Sequence, residues 1–413
     1  MATERAYWLA WSRIKGVGPV TLKHLWEYFG RLELAWQASS AALLEVDGIG
    51  LLSAEKIVGQ RAKFNPEALL AQHEKENRAF WTPADEDYPA LLFAINDPPP
   101  VLYYQGTLRL NEVTALSVGI VGTRRPSRYG RRWTQRLSWR LAQQGAVVVS
   151  GLAAGIDTVA HESCLQQQGL TIAVLGTGVD VVYPAQNRQL QAEIAEKGLV
   201  LSEYPDGTGP DKTHFPQRNR IIAGLSRALL VTEAPTRSGS LITSRLANDY
   251  CREVYALPCS LDNVQGAGNL NLIAQGAQLI LGEQPLMDAL AELPLVNGVL
   301  PNDTLAPQPA AVLDDQRATP AEQEADDKRG GAPLTTEGAT EGATDLANST
   351  VADTPPLSPL LSQVLGAVSV EPTILDSIVQ LAQIETGQVL GALVQLELLG
   401  LVTQLPGMRY QRG

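Results

Sequence analysis

The middle of the chain alternates short apolar runs with stretches of helical periodicity. The apolar runs predict six strands, at 116–121, 146–150, 171–175, 199–202, 228–232 and 253–257. The amphipathic stretches between them predict five helices, at 129–143, 158–168, 187–197, 218–225 and 241–251. Because strands that alternate with helices form right-handed crossovers, this pattern predicts an α/β fold with an extended Rossmann-like, doubly wound sheet. Ligands of such sheets bind beyond the carboxyl ends of the strands, near the point where strand order reverses.

The N-terminal residues 1–75 show helical periodicity only. Two segments, 14–23 and 44–57, place an apolar residue between two glycines ahead of a helix, as helix-hairpin-helix elements do. Such a hairpin turns unpaired helix N–H groups toward a phosphate, but the same pattern also occurs in hairpins that only pack. We therefore expect a helical, helix-hairpin-helix (SAM-like) domain, with DNA contact as one of two interpretations.

The remaining segments differ again in pattern. The α/β pattern occupies 76–290, where 103–106, after a proline-rich connector, predicts an edge strand of the sheet. Residues 291–357 are rich in Ala, Pro, Thr and acids, which predicts a disordered acidic linker. Residues 358–413 predict three helices (361–368, 374–383 and 387–399) followed by a hairpin (400–410), a winged-helix-like domain.

Composition narrows the functional class. No apolar run of membrane-spanning length and no secretory leader occur in the 413 residues, so we expect a cytoplasmic protein without a membrane partner. The three cysteines and four histidines lack metal-ligand spacing, so neither a metal nor another cofactor is expected. The net charge of −12 is uneven, because residues 300–356 alone carry −8, from eleven acids and three bases. The distribution of charge therefore leaves room for a basic binding surface.

Four turns join a predicted strand to a predicted helix and carry the candidate chemistry. The first contains Gly122, Thr123 and Arg124 and opens a run of seven arginines between 124 and 140. No acid occurs between Glu112 and Asp157, whereas solvated helices usually interleave both charges. Since guanidinium groups pair well with phosphate oxygens, Arg124 is the predicted phosphate ligand, and the arginines beyond Gly130 are expected to form a solvated or weakly contacting face.

The second turn, 150–157, contains Ser150, Gly151, Gly155, Ile156 and Asp157. Its small residues expose successive backbone N–H groups at a helix start, which is typical of an anion-binding nest. The alternative is a tight turn capped by Ser150 or Asp157.

The third and fourth turns add polar side chains. The third contains Arg218, Asn219 and Arg220 and follows a glycine-rich stretch that ends at Lys212. Arg218 and Arg220 point in different directions on a helix, so one should face the ligand and the other a structural partner. The fourth turn offers hydroxyl and backbone groups for a phosphate or a helix cap at Ser238, Gly239 and Ser240.

Several enzyme motifs are absent from the sequence. The stretch that begins at Gly176 lacks the third glycine of a dinucleotide fingerprint, and neither a Walker A lysine motif nor a nucleophile elbow occurs. His161 stands alone, and a packing role is favoured over a catalytic one. No catalytic residue is therefore predicted.

Short motifs follow one another in a fixed order: VGTR at 121–124, YG at 129–130, SGLAAGID at 150–157 with His161, YP at 183–184, SE at 202–203, FPQRNRIIAGLS at 215–226, SGS at 238–240 and GAGN at 266–269. In this order they resemble the motifs of the DNA-processing protein A family, also called DprA or Smf. The resemblance covers about residues 80–282, and the flanking domains also look like accessory domains of that family.

The resemblance implies a non-enzymatic, single-stranded DNA binding protein. Members protect incoming strands, help load RecA-type recombinase in natural transformation and recombination, and form homodimers through the Rossmann-like domain. Arg124 would hold a phosphate, the 150–157 turn would donate backbone N–H groups, and Lys212 with Arg218 and Arg220 would line the groove. The winged-helix domain has only two bases, Arg409 and Arg412, so protein contact is at least as plausible there as duplex binding.

Two other hypotheses remain open. A nucleotide-processing hydrolase of the lysine-decarboxylase-like Rossmann group has a related core, but residues 235–243 lack that group's double glycine and glutamate. A nucleotide sensor would need a closed pocket.

Overall fold

The structure is a computed structural model that describes residues 3–107, 116–293, 359–369, 373–384, 386–398, 401–405 and 409–412. The chain divides into two units, Met1–Asp315 and Gln316–Gly413. The boundary predicted between residues 75 and 76 lies inside the first unit, and most of the predicted linker, from 294 on, lies outside the described residues.

Six helices form the N-terminal part of the first unit. Their bounds are α1 Glu4–Ser12, α2 Pro19–Phe29, α3 Leu32–Gln37, α4 Ser40–Leu44, α5 Leu51–Arg61 and α6 Pro66–Glu76. Trp8 and Trp11 are buried at the centre of their shared apolar core. The two predicted hairpins are present, and each turns at a glycine with positive φ, Gly16 at 93° and Gly48 at 82°. The hydrogen bond between the Tyr103 hydroxyl and His73 Nε2, 2.7 Å long, ties α6 to the sheet that follows.

A nine-stranded sheet follows, in the order β1-β2-β6-β5-β4-β3-β7-β8-β9. The strand bounds are β1 Phe80–Trp81, β2 Leu102–Gly106, β3 Ser117–Gly122, β4 Val147–Ser150, β5 Thr171–Leu175, β6 Leu199–Ser202, β7 Ala228–Glu233, β8 Glu253–Ala256 and β9 Gln278–Leu279. In this sheet order, every neighbouring pair in the series β6-β5-β4-β3-β7-β8-β9 is parallel. Strand β2 runs antiparallel to both of its neighbours, β1 and β6. The prediction of an edge strand at 103–106 is therefore wrong, because the two-residue β1 covers that side of β2.

Helices cover both faces of the sheet. Their bounds are α7 Ala90–Phe93, α8 Arg128–Gln143, α9 Ile156–Gln166, α10 Arg188–Lys197, α11 His214–Leu225, α12 Gly239–Asp249, α13 Ala267–Ala274 and α14 Glu283–Ala291. Alternate residues of the central strands enter opposite apolar cores: Val149 and Val231 pack with α11 and α12, whereas Val148 and Leu230 pack with α8, α9 and α14. This confirms the predicted doubly wound α/β sheet.

The strand order places the reversal point between β3 and β7. From β3 the chain proceeds through β4, β5 and β6 on one side, then returns to β7 beside β3 and continues through β8 and β9. Parallel pairing along Val118–Val121 brings the carboxyl ends of β3 and β7 together. The fold therefore opens a crevice where the first and fourth predicted turns begin.

The second unit contains three helices and a small sheet. Their bounds are α15 Pro359–Ala367, α16 Leu375–Ala382, α17 Thr386–Leu398, β10 Thr373–Ile374, β11 Val402–Leu405 and β12 Arg409–Arg412. The strands pair antiparallel in the order β10-β12-β11, which makes the predicted hairpin the wing of a winged-helix fold. Over the described parts of both units, no helix is long and apolar enough to span a lipid bilayer.

Candidate nucleic-acid interface

A groove of about 530 Å³ lies at the reversal point, beyond the carboxyl ends of β3 and β7. It brings together ten of the predicted residues. They are Gly122, Thr123, Arg124, Asp157, Lys212, Arg218, Asn219, Ser238, Gly239 and Ser240. Four cations face the groove, since Arg237 joins Arg124, Lys212 and Arg218, and Asp157 is the one acid among its lining residues. The excess of positive charge suits a polyanion.

The Gly122–Arg124 turn is held by its backbone. The Thr123 N–H donates to the Glu233 carbonyl at 2.7 Å, and Thr123 Oγ1 accepts the Arg125 N–H at 3.2 Å. The Arg124 guanidinium lies 5.6 Å from the centre of the Phe215 ring. Within the described residues Arg124 forms no ion pair, so its exposed charge is available to a ligand.

Buried Glu233 anchors the continuation of this turn and was not predicted as a site residue. Its carboxylate accepts hydrogen bonds from the Ser127 N–H at 2.7 Å, the Ser127 hydroxyl at 2.6 Å and Asn263 Nδ2 at 3.0 Å. The Ser127 hydroxyl oxygen accepts the Gly130 N–H and thereby caps α8. The signal available in the sequence was an acidic residue directly after the apolar run 228–232.

The 150–157 turn donates hydrogen bonds to its own carboxylate. The N–H groups of Gly151 and Ala153 reach Asp157 Oδ2 at 3.2 and 3.3 Å, and the Ile156 N–H donates to the Thr123 carbonyl at 3.2 Å. These backbone donors of the predicted nest are therefore occupied by the protein itself. Burial raises the pKa of Asp157 to about 6, although the charge of Arg218 and these hydrogen bonds oppose the rise.

Three predicted residues of this turn lie beneath the groove surface rather than on it. Ser150 is buried and donates its hydroxyl proton to the Ile120 carbonyl at 2.6 Å, and Ile156 is buried in the core. Gly155 has a φ of 92°, and a Cβ there would lie 2.4 Å from the Thr123 carbonyl oxygen. These residues are corrected from ligand contacts to supports of the Arg124 turn.

The two arginines of α11 have separate roles. Arg218 reaches under the groove, where its guanidinium donates to the carbonyls of Gly151, at 2.8 Å, and Val174. Burial lowers its pKa to about 10, so it stays charged at neutral pH. Arg220 points away and pairs with Asp97 at 3.1 Å and with Glu203. The assignment of Arg220 to a phosphate is therefore corrected, because its charge is already matched by two acids inside the protein.

The fourth turn combines a helix cap with groove-lining groups. Ser238 Oγ accepts the Ser240 N–H at 3.3 Å and lies 2.6 Å from the Ser240 hydroxyl. Asn219 Nδ2 of α11 donates to the Gly239 carbonyl at 3.4 Å. The hydroxyl groups of Ser238 and Ser240 and the Asn219 amide therefore line the groove together.

Two aromatic rings, Tyr183 and Phe215, line the groove, and sequence reasoning did not single out either as a contact. Their centroids lie 5.4 Å apart with an interplanar angle of 32°, and Tyr183 is 38% exposed. Beside them a side pocket of about 140 Å³ extends over Gly151 and Gly176. Flat, accessible rings next to cations are the combination found in sites that bind single-stranded nucleic acid.

His161 has the packing role that the sequence favoured. It is fully buried, its Nδ1 lies 2.7 Å from the Thr171 hydroxyl, and burial lowers its pKa to about 3. The described residues contain no cluster of His, Cys, Asp and Glu with metal-binding geometry.

Comparison with known proteins agrees with this architecture. Residues 79–291 match the family model described as DNA recombination-mediator protein A, and residues 348–408 match the DprA winged helix domain. The protein Smf of Synechocystis is 49% identical over 417 residues, which cover 99% of each chain. The DNA processing protein DprA of Streptococcus pneumoniae is 47% identical over 208 residues, which is 50% of this chain and 72% of that protein.

A solved structure resembles the fold over most of its own length. The X-ray structure of DprA from Streptococcus pneumoniae has a TM-score of 0.60 and 36% identity, and the match covers 71% of this chain and 99% of that chain. With the family model spanning more than half of the residues and a relative matching nearly all of them, this chain belongs to the DNA recombination-mediator protein A family, the DprA/Smf family of DNA-processing proteins.

Proposed function

We propose that the groove at the β3–β7 reversal point binds single-stranded DNA without catalysing a reaction on it. The observation that carries the proposal is the juxtaposition of accessible rings with cations that form no ion pair among the described residues: Arg124 and Lys212 face the same space as Tyr183 and Phe215. Phosphates lie against the cations and the amides of the walls, and unpaired bases stack on the rings.

Single strands fit this site better than duplexes do. Stacking on Tyr183 or Phe215 requires a base face that a neighbouring base pair does not cover, and the bases of a duplex are stacked on each other. Affinity should therefore depend on strandedness and salt more than on base sequence.

The residues of the groove support binding rather than chemistry. Its one acid, Asp157, is held by two backbone N–H groups and has no hydroxyl or thiol nucleophile as a hydrogen-bond partner apart from buried Ser150. A nucleophile needs a base within hydrogen-bonding reach and an access path, and Ser150 is buried with its proton given to Ile120.

A gel-shift series tests the proposal directly. Single-stranded and duplex DNA of equal length are titrated with the full chain, with Arg124→Ala and with the control Lys75→Ala, an exposed lysine of α6 with the same change in charge. We expect the single strand to bind more tightly and Arg124→Ala alone to weaken it. Equal affinity of wild type and Arg124→Ala at fixed salt would overturn the assignment. Release of free base from nucleoside monophosphates would instead favour the hydrolase.

The proposal includes a homodimer of the Rossmann-like part. Leu261, Val264 and Leu281 are 87%, 75% and 76% exposed, and they follow the carboxyl ends of the neighbouring strands β8 and β9. Exposed apolar side chains grouped at one edge are typical of an association surface. Sedimentation velocity should show a dimer that Leu261→Asp converts to a monomer, whereas Leu52→Asp, at an exposed position of α5, should leave it intact. A dimeric Leu261→Asp would contradict this surface.

The wider cellular role is also part of the proposal. We expect domains at 1–75, 76–290 and 358–413, with the acidic segment 291–357 joining the second domain to the third. We also expect the protein to act in the cytoplasm. There it would protect incoming single strands and help load a RecA-type recombinase during transformation and recombination. The test is recombinase ATP hydrolysis on strands coated with a single-strand-binding protein. Addition of this chain should shorten the lag before ATP hydrolysis begins, whereas addition of the Arg124→Ala variant should leave that lag unchanged.

A further inference from the structure

The exposed face of α8 carries a cluster of arginines that the groove does not use. Arg128, Arg131 and Arg132 are exposed, and Arg125 in the preceding loop is exposed as well. The spacing of i, i+3 and i+4 places the three helical arginines on one face. We call these four residues the α8 arginine face.

The α8 arginine face is not paired with an acid in the part of the chain that the structure describes. None of its four members forms an ion pair there, and the Arg132 guanidinium carbon lies 6.0 Å from the centre of the Tyr129 ring. Farther along the same helix the pattern changes, because Arg136 and Arg140 both pair with Glu283 of α14. The absence of partners is thus confined to the end of α8 nearest the groove.

This placement is electrostatically unfavourable in the free protein. The amino end of a helix carries partial positive charge and favours acids, yet the first turn of α8 contains none. Like charges three and four residues apart add repulsion. A cluster that opposes both effects is relieved by an external anion, and the repetition of charge along a surface favours a polyanion.

The face is continuous with the groove along the chain. Arg124, which lines the groove, immediately precedes Arg125, and Ser127 holds the intervening loop on buried Glu233. Four residues of extended chain span at most about 14 Å, so Arg128 begins within a few nucleotides of the Arg124 side chain.

We propose that single-stranded DNA leaving the groove at Arg124 continues over the α8 arginine face, which forms a second, base-independent phosphate-binding segment. The inference rests on the proposed function of the groove. It gives the bound strand a path, with stacking and phosphate contacts in the groove and phosphate contacts alone along α8. A strand too short to reach α8 would lack the second segment.

The experiment compares short and long strands. Fluorescein-labelled oligothymidylates of about 6 and about 30 nucleotides are titrated with wild type and with the triple variant Arg128→Gln, Arg131→Gln, Arg132→Gln, using anisotropy over a range of salt. A control variant, Lys63→Gln with Lys75→Gln, removes exposed charges from the N-terminal helices. We expect the triple variant to bind the short strand as wild type does and the long strand about tenfold or more weakly. Its salt slope on the long strand should fall by about 2, at about 0.7 per lost phosphate contact.

The outcomes separate the inference from the proposed function. If wild type binds neither strand, the groove assignment itself fails. If wild type binds both and the triple variant keeps wild-type affinity and slope on the long strand, the α8 path alone is overturned, and a protein partner becomes the better explanation of the face. An equal loss of affinity for the short and the long strand also overturns the α8 path. Such a result indicates that the arginines attract DNA through long-range electrostatics and do not contact phosphates beyond the groove.

Urea unfolding without DNA checks that the triple variant is folded and that repulsion within the α8 arginine face destabilises the wild-type protein. The triple variant should unfold at the same or a higher urea midpoint than wild type at low salt, and added salt should stabilise wild type more. A lower midpoint for the variant would contradict the argument from repulsion.

Discussion

Glu233 and Ser127 are joined by two hydrogen bonds, one from the Ser127 N–H at 2.7 Å and one from its hydroxyl at 2.6 Å. Ser127 lies three residues after Arg124 and caps α8. One buried carboxylate on β7 therefore fixes both the start of α8 and the end of the loop that presents Arg124 to the groove.

Replacing Glu233 with alanine should reduce stability and binding together. The Ser127 N–H and Asn263 Nδ2 would lose a buried acceptor, and each such loss costs about 1–3 kcal/mol. We expect the free energy of unfolding to fall by about 3 kcal/mol in urea titrations, and the affinity of the remaining folded protein for single-stranded DNA to fall several-fold. Glu253→Ala, at an exposed position of β8, serves as the control. Unchanged affinity in folded Glu233→Ala would show that the loop holds its conformation without the carboxylate.

Phe215 should contribute stacking energy that depends on the presence of bases. Stacking on an aromatic residue is worth about 1–3 kcal/mol per base, so Phe215→Ala should weaken binding of oligothymidylate by about tenfold or more, and Phe215→Tyr should restore most of it. An abasic strand of the same length provides the decisive comparison by anisotropy. Wild type should lose affinity on the abasic strand, and Phe215→Ala should lose little more. Equal losses for Phe215→Ala on both strands would assign the ring to support of Arg124 instead.

The strands were predictable because they are apolar along their whole length. A parallel sheet covered on both faces requires such runs, and the predicted bounds 171–175 and 199–202 coincide with β5 and β6. The helix α11 was predicted to begin at 218, four residues late, because Pro216 reads as a loop residue although it lies in the first turn at His214–Leu225.

The site was less predictable wherever a contact joins distant residues. The sequence indicated that Arg218 and Arg220 diverge, but Asp97 and Glu203, which decide their roles, lie 123 and 17 positions from Arg220. The glycines of the 150–157 turn indicated free N–H groups, and periodicity carries no information on whether the Asp157 side chain folds back to accept them. The aromatic rings of the groove come from separate segments and meet only in the fold.

Substitutions at Arg220 and at Arg218 should affect stability and DNA affinity differently. Arg220→Met leaves Asp97 and Glu203 without their common partner, and breaking a buried pair in this way costs about 3 kcal/mol, less where the acids are partly exposed. We expect a lower urea midpoint with unchanged affinity of the folded protein for single strands. Arg218→Met should lower affinity as well, because it removes a charge from the floor of the groove. Loss of affinity in folded Arg220→Met would return that residue to the binding surface.

Asp157 should make stability depend on pH between about 4 and about 6. Its carboxyl has a folded pKa of about 6 against an ordinary value of 3.8, because burial disfavours the charged form. The folded chain therefore holds this proton where the unfolded chain has released it, so the free energy of unfolding should decrease as pH rises through that window, by at most about 3 kcal/mol. Asp157→Asn, whose side-chain oxygen still accepts the Gly151 and Ala153 N–H groups, should remove this contribution. An unchanged difference between pH 4 and pH 6 in the variant would assign the effect to other groups.

The same titration should appear in DNA binding. Above pH 6 the ionised Asp157 carboxylate lies in a groove that takes phosphates, and its protonation removes a repulsive charge without removing Arg124 or Lys212. Affinity for single-stranded DNA, followed by anisotropy at constant salt, should therefore rise as pH falls from 7 to 5. Asp157→Asn should bind at pH 7 as wild type does at pH 5, with a flatter profile. If the variant kept the wild-type profile, the proton that changes the affinity would belong to a group other than Asp157.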